Sequence, residues 1–467
     1  MDTTTTYDYE RAAERITMFT EIRWRIKSRW QDLMAGFWFL ALLSALLGPA
    51  LAYIAVWIDR AAGSGGAADG FIIGPSSART ILSTIASSLV TVAGLTASLT
   101  IVTLQLLSGQ YTPRALRGFL SQHISQLVVG CFIGLFAYCL LVLRTVRTPG
   151  DHTSPFVPSF SVAAAIVLAL LALALLLGFI HYMAQTIQVS NLAARITRDT
   201  MRAADRLYPR RWDEARDERG GALVQSWHAH APPQLIYPRQ PGYVQSVALD
   251  AFVTDAKDPD LRLHLTVCPG DFVTTKTAIA AVWPADTVTA KRLRAIRRHM
   301  IIRSERDIIQ DPGFGIRQLT GIALRAISLG INDPTTAVTC IGYLQNIFEC
   351  LADRDLPSTV TYTLHGPVTV VARHRAFEEY VEVFEEIARY ATGDVRVAGC
   401  VLDALIGVAE AARAAGAGAR VALLTTIAAE VAAPALAGAR TDRDHARITE
   451  RLRCIEDGAV SRPRAIQ

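Results

Sequence analysis

Four apolar stretches crowd the first 190 residues, at 36–58, 81–107, 124–143 and 160–189, and none of them contains Asp, Glu, Lys or Arg. A bilayer core about 30 Å thick is crossed by about 20 apolar residues of helix. A buried helix of a soluble domain seldom runs so long without a charged face, so the pattern predicts four transmembrane helices. The first run starts too late and runs too long for a cleaved signal peptide, and is expected to be retained.

Flanking charge predicts the orientation. Arg23, Arg25, Lys27 and Arg29 precede the first span, Arg114 and Arg117 follow the second, and Arg195, Arg198 and Arg202 open the tail. Residues 59–79 balance Asp59 and Asp69 against Arg60 and Arg79, and residues 144–159 are short and Pro-rich, as expected of outer loops. Basic residues favour the cytoplasmic side, which places both termini in the cytoplasm and Arg114 and Arg117 at the membrane interface.

The remaining 280 or so residues read as an ordinary soluble sequence. Of 47 basic and 42 acidic side chains, 12 and 9 lie before residue 190 and 35 and 33 after it. So even a balance gives no electrostatic footprint for nucleic acid. The seven cysteines form no C-x-x-C pair and none lies in an outer loop, which fits a reducing compartment rather than a disulfide framework or zinc site. His228 and His230 stand alone, so no metal is expected there.

Within the spans, the lack of ionisable groups argues against ion-coupled transport. The second span is loaded with hydroxyls, and Thr84, Ser87, Thr91, Gly94, Ser98 and Gln105 fall on one helical face. Two readings compete: a helix-packing seam of small residues, or the lining of a wet path between subunits.

In the tail, residues 190–240 begin as an amphipathic extension of the fourth span and turn polar and Pro-rich, the pattern of a connector. Strand-like alternation at 242–251 and 261–267, a Pro269-Gly270-Asp271 turn and a run at 278–283 predict a small β-barrel-like module over 241–285. It resembles a barrel-sandwich hybrid without the carrier lysine. Residues 286–467 are predicted mainly helical, with a hairpin at 359–371 and a basic helix containing Lys291, Arg292, Arg294, Arg297 and Arg298. Glu378, Glu379, Glu382, Glu385 and Glu386, with Arg373, Arg375 and Arg389, read as a solvated helix face.

The most distinctive tail sequence runs from Gln310 to Ala337. Asp311 and Pro312 start a helix, Gly330 closes it, and Asn332, Asp333 and Pro334 start the next. Arg317 and Arg325 on the first helix, with the backbone near Asn332, form a possible anion site, against which stands the carboxylate of Asp333.

That stretch, together with Gln110-Tyr-Thr-Pro-Arg114 after a polar second span, resembles a family of bacterial predicted membrane proteins catalogued as domain of unknown function 2254. The resemblance runs from the first helix to about residue 390, and Gly330-Ile-Asn-Asp-Pro334 is its most specific motif. Leu329 stands where Pro is common in the family, and Gly321 where Asp is common. The resemblance implies an inner-membrane location and four spans, but no activity.

No nucleophile elbow, phosphate-binding glycine loop or metal-ligand spacing is present, so neither an enzyme nor a cofactor is expected. The expected architecture is an α-helical membrane protein: a cytoplasmic segment 1–35, a four-helix transmembrane domain 36–189, and a cytoplasmic α+β region. The leading functional expectation is a homo-oligomeric, channel-like conduit in the bilayer, gated by its cytoplasmic domain. The second is a membrane-anchored sensor or scaffold that binds an anionic ligand or a protein.

Overall fold

A computed structural model describes residues 37–62, 74–110, 123–147, 156–186, 188–208, 216–217, 220–249, 261–285, 288–363, 369–391 and 394–458. The chain divides into two compact units, Met1–Ile187 and Gln188–Gln467.

The first unit is a bundle of four helices laid over the apolar stretches: α1 (Phe37–Ala62), α2 (Pro75–Gln110), α3 (His123–Thr145) and α4 (Ser159–Thr186). Leu82, Leu89, Val128, Phe132, Tyr138, Val142, Val162 and Phe179 fill its centre. Leu42, Leu46, Trp57, Leu170, Leu171 and Leu177 point outward, the inverse of a soluble bundle. In lipid there is no hydrophobic drive between helices, so close backbone approach matters. Gly48 of α1 meets Gly134 of α3 so closely that a Cβ at 48 would lie 1.8 Å from the Gly134 carbonyl oxygen.

The charges beside the spans serve helix ends. Asp59, near the end of α1, accepts from the amides of Phe160 (3.0 Å) and Ser161 (2.9 Å), so it caps α4 from another helix. Arg79 donates to the Val146 carbonyl just past α3 at 3.0 Å, and Tyr138 Oη donates to the Ser161 carbonyl at 2.9 Å. Gln126 of α3 is fully buried with neither amide atom hydrogen-bonded among the described residues. The packing offers no account of it.

In the second unit, α5 (Val189–Leu207) buries Ala193, Ile196, Thr200, Ala203 and Ala204 against α8 (Pro312–Ala326) and α9 (Pro334–Ala352). The unit also holds two sheets. The larger comprises β1 (Arg216–Asp217), β2 (Gln234–Ile236), β4 (Arg262–Leu265), β6 (Ala280–Trp283), β8 (Thr359–Thr363) and β9 (Thr369–Arg373), in the order β1-β8-β9-β4-β6-β2. All its pairings are antiparallel except β4 with β9. The smaller has β3 (Gly242–Val247) between β5 (Phe272–Val273) and β7 (Met300–Arg303). Helix α6 (Gly220–His230) lays Trp227 on Trp283, and α7 (Ala290–Arg298) leads into β7. After β9 come α10 (Phe377–Val381), α11 (Val383–Tyr390), α12 (Val395–Ala414), α13 (Gly418–Gly438) and α14 (Asp442–Asp457).

Three expectations differ from this structure. Residues 190–240 are not a bare connector, because the apolar stripe of α5 is core and β2 is a sheet strand. Residues 241–285 are not a self-contained module, because β3 and β5 join β7 whereas β4 and β6 join the 359–373 hairpin. The reason lies in β6, buried at all four positions: Ala280 and Val282 enter one core, and Ala281 and Trp283 pack with Trp227 in another. A strand apolar on both faces needs cover from both sides, which 45 residues do not supply. The hairpin is present, with its tip around His365 outside the described residues.

The third difference is a fifth helix long and apolar enough to cross a membrane, α13. Its hydropathy comes from alanine. Leu424, Ile427, Ala428, Val431, Ala432 and Ala435 pack inward while Ala422, Ala429, Glu430 and Ala433 face out, an amphipathic pattern that average hydropathy hides. Arg420 in its first turn donates to the carbonyls of Ala352 (3.0 Å) and Arg354 (2.6 Å).

Candidate functional site

The polar stripe of α2 faces away from its own bundle. Thr84, Ser87, Thr91, Gly94, Ser98 and Gln105 are all exposed, while Leu82, Ala86, Leu89, Thr96 and Thr103 take the buried face. A Cβ at Gly94 would meet nothing within 4 Å. The stripe is therefore not a packing seam inside one protomer. Its hydroxyls are held by their own helix: Ser87 donates to the Thr84 carbonyl at 3.0 Å and Thr91 to the Ser87 carbonyl at 3.1 Å. These two donors are satisfied, and their oxygens keep lone pairs free to accept. Arg114 and Arg117, which would mark the membrane interface at the end of this helix, lie outside the described residues.

The tail residues proposed for anion binding do not converge. Arg317 forms an ion pair with Glu386 of α11, which occupies the charge an anion would need. Arg325 lies two turns further along α8. Asn332 adopts a left-handed conformation at φ 50°, so it, rather than Gly330, makes the reversal. Asp333 caps α9, accepting from the Thr336 amide at 3.1 Å and its hydroxyl at 2.6 Å. The carboxylate thus fills the helix N-terminus.

A different polar centre forms where α5, β4, β9 and the start of α8 meet. Asp311, 1% exposed, accepts from Arg306 Nε (2.8 Å), forms an ion pair with its Nη2 at 2.6 Å, and caps α8 through the Phe314 amide at 3.1 Å. Gly270, at φ +93°, crosses directly above it: a Cβ there would lie 2.3 Å from Asp311 Oδ2. Beside it, Asp271 accepts from Arg375 Nη2 at 2.8 Å and from the Cys268 amide at 3.0 Å. Tyr208 donates to the Arg375 carbonyl at 2.9 Å and sits 3.0 Å from Tyr380 Oη. Arg375 therefore does not belong to a solvated face, because its partner is Asp271, a hundred residues earlier in the chain. Arg373 is exposed, as the helix-face reading expects, and pairs both with Glu379 and with Asp271.

Burial sets the protonation states here. It pushes the Cys268 thiol up to about 11, with the Asp271 carboxylate adding to the effect, so the thiol stays protonated and is no nucleophile. It raises the Tyr208 and Tyr380 phenols. Burial also raises the Asp311 carboxyl, and Arg306 and Arg375 oppose it without prevailing. For Asp271, burial raises the carboxyl, but the Cys268 amide and Arg375 overcome it and hold the group below 3.8.

A folded value below the unfolded one gives stability that is present above about pH 3.8 and lost as pH falls through the folded value. Asp271→Asn is expected to be about 2 kcal/mol less stable than wild type near neutrality, by loss of charged hydrogen bonds. That gap should narrow as pH falls below about 3.8 in thermal unfolding of the full chain. A gap that widens on acidification would contradict the assignment.

Next to this centre lies a cavity of about 270 Å³. Leu249, Leu265 and Val267 line one part of it, and Arg206, Gln310 and Arg373 another. Arg206 is exposed, and Gln310 is fixed by accepting from the Val247 amide at 2.9 Å. The lining joins an apolar wall to one carrying two guanidinium groups, of which Arg373 also pairs with Asp271 and Glu379. Sequence reasoning flagged the Gln310–Asp311 segment and the 269–271 turn separately. Nothing in the spacing linked them to each other, to Tyr208 or to Arg375.

A family model described as Predicted membrane protein (DUF2254) matches residues 35–406. An uncharacterized protein of Mycobacterium tuberculosis is 32% identical over 343 residues, covering 72% of this chain and 64% of that protein. An uncharacterized protein of Mycobacterium bovis matches with the same identity and coverage. The chain thus spans less than two thirds of the length of these curated relatives. No solved structure matches the chain.

Proposed function

The chain belongs to the predicted membrane protein family DUF2254, and from that premise we propose that it forms a homo-oligomeric conduit for ions or small solutes, gated by its tail. Helices α1 to α4 cross a bacterial inner membrane, with both termini in the cytoplasm. Helix α13 stays with the tail, since it packs between α12 and α14 and roots Arg420 in backbone carbonyls. The role is not enzymatic, and its partners are the bilayer, further copies of the chain and a possible anionic ligand, not nucleic acid.

The outward stripe of α2 carries this reading. Hydroxyl oxygens and the Gln105 amide facing hydrocarbon would forgo hydrogen bonds that water supplies, at about 1–3 kcal/mol for each group left unsatisfied. Arranged around a shared axis, the same faces are wetted, and their lack of charge gives weak ion selectivity. Purified protein of measured oligomer mass is expected to give discrete currents in planar bilayers. Ser87→Leu, Thr91→Leu and Ser98→Leu together should cut conductance about tenfold or more by narrowing and drying the path, at unchanged oligomer mass. Currents indifferent to the three substitutions would exclude α2 as the lining. Truncation before Gln188, at the boundary between units, tests the gating half of the proposal.

The cavity beside Arg206 and Arg373 favours a second reading, a membrane-anchored sensor for a small amphiphilic anion. A folded preparation silent across salts and pH would move the assignment to it.

A further inference from the structure

Inside the first unit, one polar side chain has hydrogen-bonding groups that the protein leaves unmatched. Gln126 of α3 is 0% exposed, and neither its amide nitrogen nor its amide oxygen has a partner among the described residues. A primary amide brings two donors and an acceptor with two lone pairs. Bare in an apolar interior, such groups carry their full desolvation penalty. Buried polar atoms in folded proteins are therefore nearly always met, by protein or by ordered water.

Contacts within the bundle place the groups at its level. Helix α2 packs on α3, and Arg79 near the start of α2 reaches the Val146 carbonyl just past the end of α3 at 3.0 Å, so the two helices run in opposite directions. From that contact Gln126 lies twenty residues back along α3 and Leu99 twenty residues forward along α2, each about 30 Å away in the same sense. Leu99 packs against the bundle core. Thr96 and Thr103, three residues before it and four after, share its face and are buried. The inner face of α2 at the level of Gln126 is thus part hydroxyl. Thr96 Oγ1 donates to the Val92 carbonyl at 2.7 Å, which leaves its lone pairs free to accept. Neither apolar stretch, 81–107 or 124–143, contains Asp, Glu, Lys or Arg.

We infer that Gln126, Thr96 and Thr103 bind an ordered water inside the bundle, between α2 and the first turns of α3. Water fits the chemistry of these groups. It both donates and accepts, as the amide requires, and it is uncharged, as a site without an ionisable neighbour on either helix requires. A buried water makes about three hydrogen bonds, the number that one amide and two hydroxyls supply. Gln126 stands three residues after the first residue of α3, about 5 Å along the axis, so the water exchanges with solvent past the helix end. At this level α2 is then polar on both sides, with Ser98 and Gln105 outside and Thr96 and Thr103 within. The inference concerns the interior of one protomer and not conduction or assembly, so a silent or monomeric protein leaves it standing.

The test joins thermal unfolding of the full chain in detergent to thiol labelling. Gln126→Leu and Thr103→Val each nearly keep the side chain's size and remove one partner of the water, and each should lower the unfolding temperature by about 2–4 °C. The double variant should lose little more than the worse single one, because the shared bridge is already broken. A higher unfolding temperature for Gln126→Leu would mark a dry, unmatched amide, and additive losses would mark two groups with no common partner; either result overturns the inference. Separately, Gln126→Cys should react with a small water-soluble methanethiosulfonate at least about tenfold faster than Val128→Cys, since thiol reactivity follows access to water. Val128 is fully buried in the apolar core two residues further on. Unmutated protein sets the background from Cys131 and Cys139. Coupled losses with equal labelling at 126 and 128 would replace the water by a direct bond between side chains, and would overturn the inference as well.

Discussion

Replacing Gly315 by alanine is expected to be among the most damaging single changes in the tail, costing about 3 kcal/mol or more through overpacking of a filled core. For a unit of this size that is about 8 °C in thermal unfolding. The added Cβ would sit 1.8 Å from Thr200 Oγ1, 2.9 Å from Ile308 Cδ1 and 3.0 Å from Thr200 Cβ. Thr200 has no room to yield, because it is fully buried and its hydroxyl already donates to the Ile196 carbonyl at 2.7 Å. Thr200→Ala removes the oxygen and leaves a carbon at a tight but tolerable distance, so adding it to Gly315→Ala should recover about half the loss. Such coupling between touching residues is what a double-mutant cycle measures. Gly330→Ala, where nothing lies within 4 Å of the new carbon, should change stability by less than about 0.5 kcal/mol. Equal effects at 315 and 330 would mean that α5 does not dock on α8 as described.

The same contact shows what the sequence made legible. The amphipathic pattern at the start of the tail marked α5 as a helix, but periodicity identifies a buried face without naming the surface that buries it. Pairing with α8, more than a hundred residues away, depends on a threonine and a glycine that are unremarkable one at a time. The apolar runs were legible because length and lack of charge need no partner to be recognised. Helix α13 shows the limit of that criterion: its many alanines keep the mean hydropathy high enough for a span, while its Leu424, Ile427 and Val431 side chains are buried within a unit where it packs against α12 and α14. β3, β4, β6 and the 359–373 hairpin were placed within a few residues, whereas β1 and β2 fell in the segment read as connector and β7 in one read as helical; the distribution of strands between two sheets followed from long-range cover of β6. In the second span the spacing fixed which residues share a face, and only the bundle showed that the face looks outward.

Charge was read less well than apolarity. Asp59 and Arg79 looked like balanced loop charges and instead close the ends of α4 and α3. Arg317 looked like a ligand group and is matched by Glu386, whereas Arg375 looked solvated and lies in the buried centre. A charged side chain in a sequence has many possible partners, and a helical periodicity that places it on an outer face says nothing about a turn arriving from elsewhere. The 269–271 turn is such an arrival. Its glycine lets the backbone pass over the Asp311 carboxylate, and its aspartate then takes the second arginine.

Asp311 is the other residue whose loss should be severe. It caps α8 and is the carboxylate that neutralises Arg306. Breaking one side of a buried ion pair costs about 3–5 kcal/mol, much of it the penalty of stranding the remaining charge. Loss of the cap adds about 1 kcal/mol. Asp311→Ala should therefore destabilise the tail by about 4 kcal/mol or more, seen as a lower unfolding temperature of the full chain in detergent. If loss of the carboxylate opposite the Arg306 guanidinium is the main cause, Arg306→Leu in the same chain should restore part of that loss, because an apolar group can rest on Phe314, over which the Arg306 guanidinium now lies at 5.5 Å. No recovery in the double variant would assign the damage to the helix cap and to the 269–271 turn that rests on Asp311. Recovery of stability would also separate folding from any role of the adjoining cavity, since Gln310 is ordered by the same start of α8.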